Sequence, residues 1–169
     1  MAAPFTAEQQ QKFDDGMAKA IAHFPAGKES AAVLPGLHLV QELIGWLPPE
    51  AMLQVAEKCQ TNPERVREVA TFYVMYWTAP KGKFVIDVCT NISCSLRGAE
   101  RLVERLEELL GVHLGETTKD QLITLREFEC LGACGNAPVL QVNSRFHMDM
   151  TLKKTEALVE ELRKQGGKA

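Results

Sequence analysis

Phe13, Met17, Ala20, Ile21 and Phe24 recur at three- and four-residue intervals, the spacing that lines one face of a helix. Thr6 with Gln9 gives this helix a capping-box start, and Pro25 closes the run. Ser30 is expected to cap a second helix carrying Val33, Leu34, Leu37, Val40 and Ile44, with Pro35 delaying or kinking its start. Pro49 suits the first turn of a third helix, and Asn62 followed by Pro63 marks the cap and first position of a fourth. The stretch "ATFYVMYWTAP" then follows. It is dense in aromatics and weakly periodic, so helix and extended chain fit it equally.

The pattern changes after "PKGK" at 80–83, which reads as a turn or linker. "KFVIDV" alternates Phe84, Ile86 and Val88 against Lys83 and Asp87, a strand signal. From Ser95 to Leu110 one helical stripe runs through Leu96, Ala99, Leu102, Val103, Leu106, Leu109 and Leu110, and Gly111 ends it. "QLITLREFE" is a second strand. "PVLQV" and "RFHMD" flank Asn143-Ser144 as a hairpin. Thr151 caps a last helix with Leu152, Leu158, Val159 and Leu162, ending at Gly166-Gly167. The expected organisation is an N-terminal helical bundle over 1–79 followed by an α/β domain with a mixed sheet over 80–169.

A strand–helix–strand unit normally yields two parallel strands, which brings the same ends of both to one edge of the sheet. Here the first strand leads into Cys89 and the second into Cys130. Open parallel sheets bind ligands beyond such strand ends. The topology therefore predicts that "CTNISC" (Cys89, Cys94) and "CLGAC" (Cys130, Cys134) converge on one site, although 35 residues separate them.

Composition decides what that site can be. With 169 residues and 46% hydrophobic content, the chain can build a core without disulfides. Its net charge of −3 argues against nucleic acid as a partner. No apolar run approaches the roughly 18 residues of a membrane span. "MAAPFTAEQQQKFDD" has neither the basic nor the apolar region of a signal peptide, so the chain reads as cytoplasmic. In that compartment clustered cysteines point to metal ligands or redox groups.

Four thiols at one site suit an iron–sulfur cluster or zinc. Gaps of four and three residues are wider than the two common in zinc ribbons, and favour the larger two-iron body. Zinc, dithiol exchange and unliganded structural cysteines stay open as readings, although the C-x-x-C of dithiol oxidoreductases is missing. His23, His38, His113 and His147 fall in neither bracket, which disfavours a Rieske-type site. The intervening Thr90, Asn91, Ser93, Gly132 and Ala133, with Gly135 just beyond, are small or polar and let main-chain N–H groups reach the sulfurs. Cys59, in "VAEKCQ", lies at a helical position and reads as an ordinary buried thiol.

"LHLVQELIGWLP", "ATFYVMYWTAPKGKFVIDVCTNISCSLRGAERL", "GETTKD" and "ECLGACGNAPVLQVN" together carry a family resemblance from about residue 30 to 150. The chain resembles the thioredoxin-like 2Fe-2S ferredoxin subunit of respiratory complex I, the family of E-type subunits of NADH:quinone oxidoreductase. The resemblance implies a thioredoxin-like C-terminal domain in which Cys89, Cys94, Cys130 and Cys134 ligate one 2Fe-2S cluster. It implies a non-catalytic electron-transfer role beside a larger flavoprotein subunit that holds FMN and the NADH site. It also implies a multi-subunit complex, peripheral to the bacterial inner membrane, with no membrane insertion by this chain itself. Related subunits of NAD-linked hydrogenases and formate dehydrogenases share these motifs, and a metal-stabilised scaffold is the alternative from another class. No Gly-rich dinucleotide fingerprint occurs, so FMN and NAD are expected only on the partner. Phe72, Tyr73, Tyr76 and Trp77 are read either as inter-domain core or as part of a partner contact, which would make the helical half a docking domain.

Overall fold

The structure is a computed structural model that describes residues 4–167. It divides into two compact units, Met1–Pro80 and Lys81–Ala169, each with its own core. The ranges expected for the two halves, 1–79 and 80–169, run at their outer ends into residues outside the described ones.

In the first unit α1 spans Ala7–Ile21, and its capping box is reciprocal. The Thr6 hydroxyl accepts the Gln9 N–H at 3.3 Å while the Gln9 side chain accepts the Thr6 N–H at 2.9 Å. Phe13 and Met17 are fully buried at the centre of the core. The second helix starts differently from expectation. Ser30 lies inside a 3-10 turn, Glu29–Ala32, and α2 runs Val33–Ile44 behind Ala32 with no side-chain cap. The turn itself takes up the entry: the Ala31 N–H donates to the Lys28 carbonyl and the Val33 N–H to the Ser30 carbonyl, and Pro35 sits in the first turn of α2, where no N–H is needed. Gly36 has a packing reason. A Cβ there would meet the Met17 sulfur at 2.9 Å and Val55 at 3.1 Å, so only glycine lets α1, α2 and the third helix close on one another.

That third helix, α3, spans Pro49–Lys58, and α4 spans Pro63–Phe72 with the Asn62 side chain accepting the Glu64 N–H. Cys59 closes α3 and is completely buried. Beyond Phe72 the aromatic stretch is neither helix nor strand, because other groups satisfy its main chain. Gln41 accepts the Trp77 N–H and donates to the Met75 carbonyl, both at 2.8 Å, and the Leu47 N–H donates to the Trp77 carbonyl at 2.7 Å. Tyr76 is buried and donates its hydroxyl to the Leu34 carbonyl at 2.8 Å.

The second unit is a four-stranded mixed sheet in the order β2-β1-β3-β4, from β1 (Phe84–Cys89), β2 (Ile123–Phe128), β3 (Leu140–Val142) and β4 (Arg145–His147). β1 and β2 pair in parallel, with Cys89 opposite Phe128, while β3 lies antiparallel to both β1 and β4. Ile86, Val88, Ile123, Leu125 and Leu140 meet Leu102, Leu106, Leu158, Val159 and Leu162 in one core. The last five belong to α6 (Ala99–Leu110) and α7 (Leu152–Gly166), and Thr151 caps α7 as expected.

Three expectations for this unit are corrected. The helix expected from Ser95 is two: a short α5, Ile92–Leu96, and then α6, separated by Gly98 at φ 91. Leu96 is consequently 84% exposed rather than on the core stripe, and Leu152, at the very start of α7, is 45% exposed. β1 is not half-solvated: Asp87 is buried, because Arg126 of the neighbouring strand donates to its carboxylate at 2.6 and 3.1 Å. Burial of a carboxylate is tolerable only with such a partner. Among the described residues no helix is long and apolar enough to cross a membrane.

Candidate metal centre

The parallel pairing of β1 and β2 places the two cysteine brackets beyond adjacent strand ends. Cys89 is the last residue of β1 and donates its N–H to the Val139 carbonyl at 3.1 Å. The chain then turns into α5, for which Asn91 is the N-cap, and one helical step brings Cys94 back toward Cys89. Cys130 follows the end of β2 by two residues, and Cys134 opens a 3-10 turn, Cys134–Asn136. Between these two, Gly132 adopts φ 71, a left-handed conformation that glycine enters without strain, and its N–H donates to the Cys130 sulfur at 3.4 Å.

The thiols are unequal. Cys89 and Cys94 are buried at 3% and 2% exposure, packed with Ala99, Ala137 and Val139, whereas Cys130 and Cys134 are exposed. Their electrostatics differ too. Burial opposes ionisation of Cys89, but the N–H groups of Leu131 and Asn91, with the thiols of Cys94 and Cys130, outweigh it and lower its pKa. For Cys94 burial wins: its pKa is raised, the neighbouring Cys89 and Cys134 adding to the effect against an N–H of Val139. One buried thiol is thus poised to ionise before the other.

All four sequence-predicted residues therefore lie in one neighbourhood, Cys89 beside Cys94 and Cys130, and Cys94 within the influence of Cys134. Among the described residues no group of three or more His, Cys, Asp or Glu is arranged to hold a metal ion. Cys59 belongs to the other unit, where burial pushes its thiol up to about 11.

Hydrogen bonds lace the brackets together from outside the thiols. Thr90 donates its hydroxyl to Glu127 at 2.6 Å and its N–H to the Phe128 carbonyl at 3.3 Å. The Asn91 side chain donates to the Glu129 carbonyl at 2.9 Å while its own oxygen accepts the Ile92 N–H at 2.9 Å. In the sequence Asn91 stands out only as a small polar residue. Neither its cap role nor its reach to Glu129 was legible there, because the helix was expected to begin only at Ser95. The amides of Leu131 and Val139 left no mark in the sequence at all, because any residue type supplies an N–H.

Known proteins share the sequence and the fold of this chain. The chain is 46% identical over 140 residues to the E-type subunit of NADH-quinone oxidoreductase from Rickettsia bellii, covering 82% of this chain and 83% of that protein. It is 40% identical over 150 residues to NADH-quinone oxidoreductase subunit 2 of Thermus thermophilus, covering 88% and 83%. In fold it is similar to a crystallised NAD+-reducing nickel–iron hydrogenase in the air-oxidized state, with a TM-score of 0.72 at 20% identity. That alignment takes in 84% of this chain but only 24% of the hydrogenase chain. The family model described as thioredoxin-like 2Fe-2S ferredoxin matches residues 17–163, a span that includes both cysteine brackets and most of both units, and the chain belongs to that family.

Proposed function

We propose that this chain is the electron-transfer subunit of an NADH-oxidising, quinone-linked complex, and that Cys89, Cys94, Cys130 and Cys134 hold its one 2Fe-2S cluster. The observation that carries the reading is the meeting of four free thiols beyond the ends of β1 and β2. The donor set fits the group. A 2Fe-2S cluster takes four thiolates, two on each iron, rather than four donors on one point. Main-chain N–H groups already face the sulfurs of Cys89, Cys94 and Cys130. The names of the relatives from Rickettsia and Thermus support the assignment to a quinone-linked complex.

When bound, the cluster supplies one-electron transfer. The chain's own residues set the conditions for it. Cys89 and Cys94 keep water from one side of the site, and the amides of Leu131, Asn91, Val139 and Gly132 stabilise negative charge on sulfur, which favours the reduced state. Exposed Cys130 and Cys134 face outward, the direction from which an electron must arrive. The chain offers no nucleotide fingerprint, so FMN and NADH belong to a larger flavoprotein partner, and the isolated chain does not turn over. The complex holds it at the inner membrane from outside the bilayer. The helical unit serves as a dock: Phe72, Tyr73, Val74 and Met75 are 77%, 39%, 63% and 39% exposed, an apolar run of the kind that stable interfaces bury.

Serine substitution tests the ligand set, because its oxygen is a harder and poorer ligand for this iron than thiolate. Cys130→Ser is expected to weaken or reshape the visible and reduced-state electron paramagnetic resonance spectra, and Cys59→Ser to leave both intact. The reverse pattern refutes the assignment. Co-purification identifies the complex: a hydrogenase or formate dehydrogenase in place of a quinone-linked flavoprotein replaces the quinone-linked reading.

A further inference from the structure

Asn91 touches both brackets at once. Its side-chain nitrogen donates to the carbonyl of Glu129, the residue before Cys130, at 2.9 Å. Its side-chain oxygen caps α5, the helix that carries Cys94, through the Ile92 N–H at 2.9 Å. Its main-chain N–H faces the Cys89 sulfur. Each group is used in the only way its chemistry allows: an amide side chain has one acceptor end and one donor end, and here each end holds a different bracket. A carboxylate could cap the helix equally well, since aspartate and asparagine rank together at that position, but it has no donor for the Glu129 carbonyl. A serine could also cap, but it is too short to span the two loops.

We infer that Asn91 is a positioning residue that holds the Cys89–Cys94 bracket against the Cys130–Cys134 bracket, so that the apo chain presents its four thiols ready for cluster insertion and the loaded chain retains the cluster. This rests on the four-cysteine reading above and adds a role that thiol chemistry does not require. In the unfolded chain the brackets are separated by 35 residues, and every contact that holds them together before loading lessens the ordering left for the cluster to impose. Thr90 contributes at the strand end through Glu127 and Phe128. Asn91 acts one residue further out, where the strand pairing of Cys89 with Phe128 has ended.

The test uses the full chain carrying Asn91→Ser or Asn91→Asp. Both variants keep the helix cap and lose the donor to Glu129; the serine variant also adds no charge. Two rates are read: loss of the visible chromophore to an iron chelator, and its recovery when the apo chain is given iron and sulfide. The melting temperature of the apo chain is measured alongside. The expected result is roughly three- to tenfold faster loss and correspondingly slower recovery, the factor that one net hydrogen bond carries. The apo melting temperature should stay within about 2 °C of the parent, since the cap is retained. Unchanged rates in both variants overturn the inference. So does a change in rate constants that merely tracks a fall in melting temperature, which would make Asn91 an ordinary stabilising residue. If the parent chain itself binds no cluster of two irons and two sulfides, the four-cysteine reading has failed and the role of Asn91 falls with it. If the parent binds the cluster and the variants behave like it, only the inference about Asn91 has failed.

Discussion

Removing the cluster should split the five cysteines into a reactive set of four and a silent fifth, and the size of the gap can be worked out. Burial raises the Cys59 pKa from 9.0 to about 11. At pH 8 an unshifted thiol of that type is about one part in ten ionised, while Cys59 is about one part in a thousand, a hundredfold deficit. A more basic thiolate is a better nucleophile, and over two pKa units this recovers a factor of about eight. Titration alone therefore slows attack on an aromatic disulfide reagent by about tenfold. Cys59 has no exposed surface, so the reagent must also wait for the helical core to open, which multiplies the delay. The assay strips the metal from the full chain with chelator, follows release of the reagent's thiolate at pH 8, and assigns the modified positions by mass spectrometry. Cys130 and Cys134 should react first, Cys89 and Cys94 next, and Cys59 last and separately. Before stripping, all four bracket thiols should be protected. A single kinetic phase for all five thiols, or Cys59 among the fast ones, would refute the packing argument. Bracket thiols as reactive with the cluster as without it would refute the ligand assignment.

Other outcomes follow from the same structure. Amide exchange on the loaded and stripped chain should differ most in the unit Lys81–Ala169, whose two brackets the cluster would link under the proposed ligation, and little in Met1–Pro80; equal change in both would count against that coupling. Phe72→Ser should leave the cluster spectrum and melting temperature unchanged, because the side chain is 77% exposed, yet weaken co-purification with the proposed flavoprotein partner; undiminished co-purification rejects Phe72 as part of the proposed dock. Stability should also fall at high pH. Burial holds the Cys59 thiol up to about 11, and burial followed by Tyr73 holds the Tyr76 hydroxyl up to about 12, from 9.0 and 10.0. The folded chain thus keeps protons that the unfolded chain releases, so their contribution is complete below about pH 9 and is lost as pH climbs through 12. Denaturant titrations of Cys59→Ala/Tyr76→Phe should show a shallower alkaline loss than the parent, and equal slopes would contradict this linkage.

Much of this fold was written locally. Thr6 with Gln9, Asn62 with Pro63, Gly111 and Thr151 mark helix ends through bonds made within a few residues, and all four stand where those local rules put them. The turn at Asn143, with φ 54, joins the expected hairpin for the same reason. The order strand, helix, strand also foretold the parallel pairing of β1 with β2, because that connection leaves few alternatives. Tertiary structure decided whatever depends on a distant partner. Ser30 had a cap's chemistry, but a 3-10 turn used its position. Leu96 matched the stripe of α6 by spacing, yet Gly98 broke the helix and left it in solvent. Asp87 looked like the solvated side of a strand until Arg126, on the next strand, made its burial tolerable. At the cysteines the sequence supplied four thiols and their spacing. Which two are buried, and which amides face them, depended on how Leu131, Val139 and Asn91 come together from loops far apart in the chain. Capping and periodicity act through neighbours along the chain, whereas burial and charge pairing arise from neighbours in space, which a linear pattern specifies only once the fold has closed.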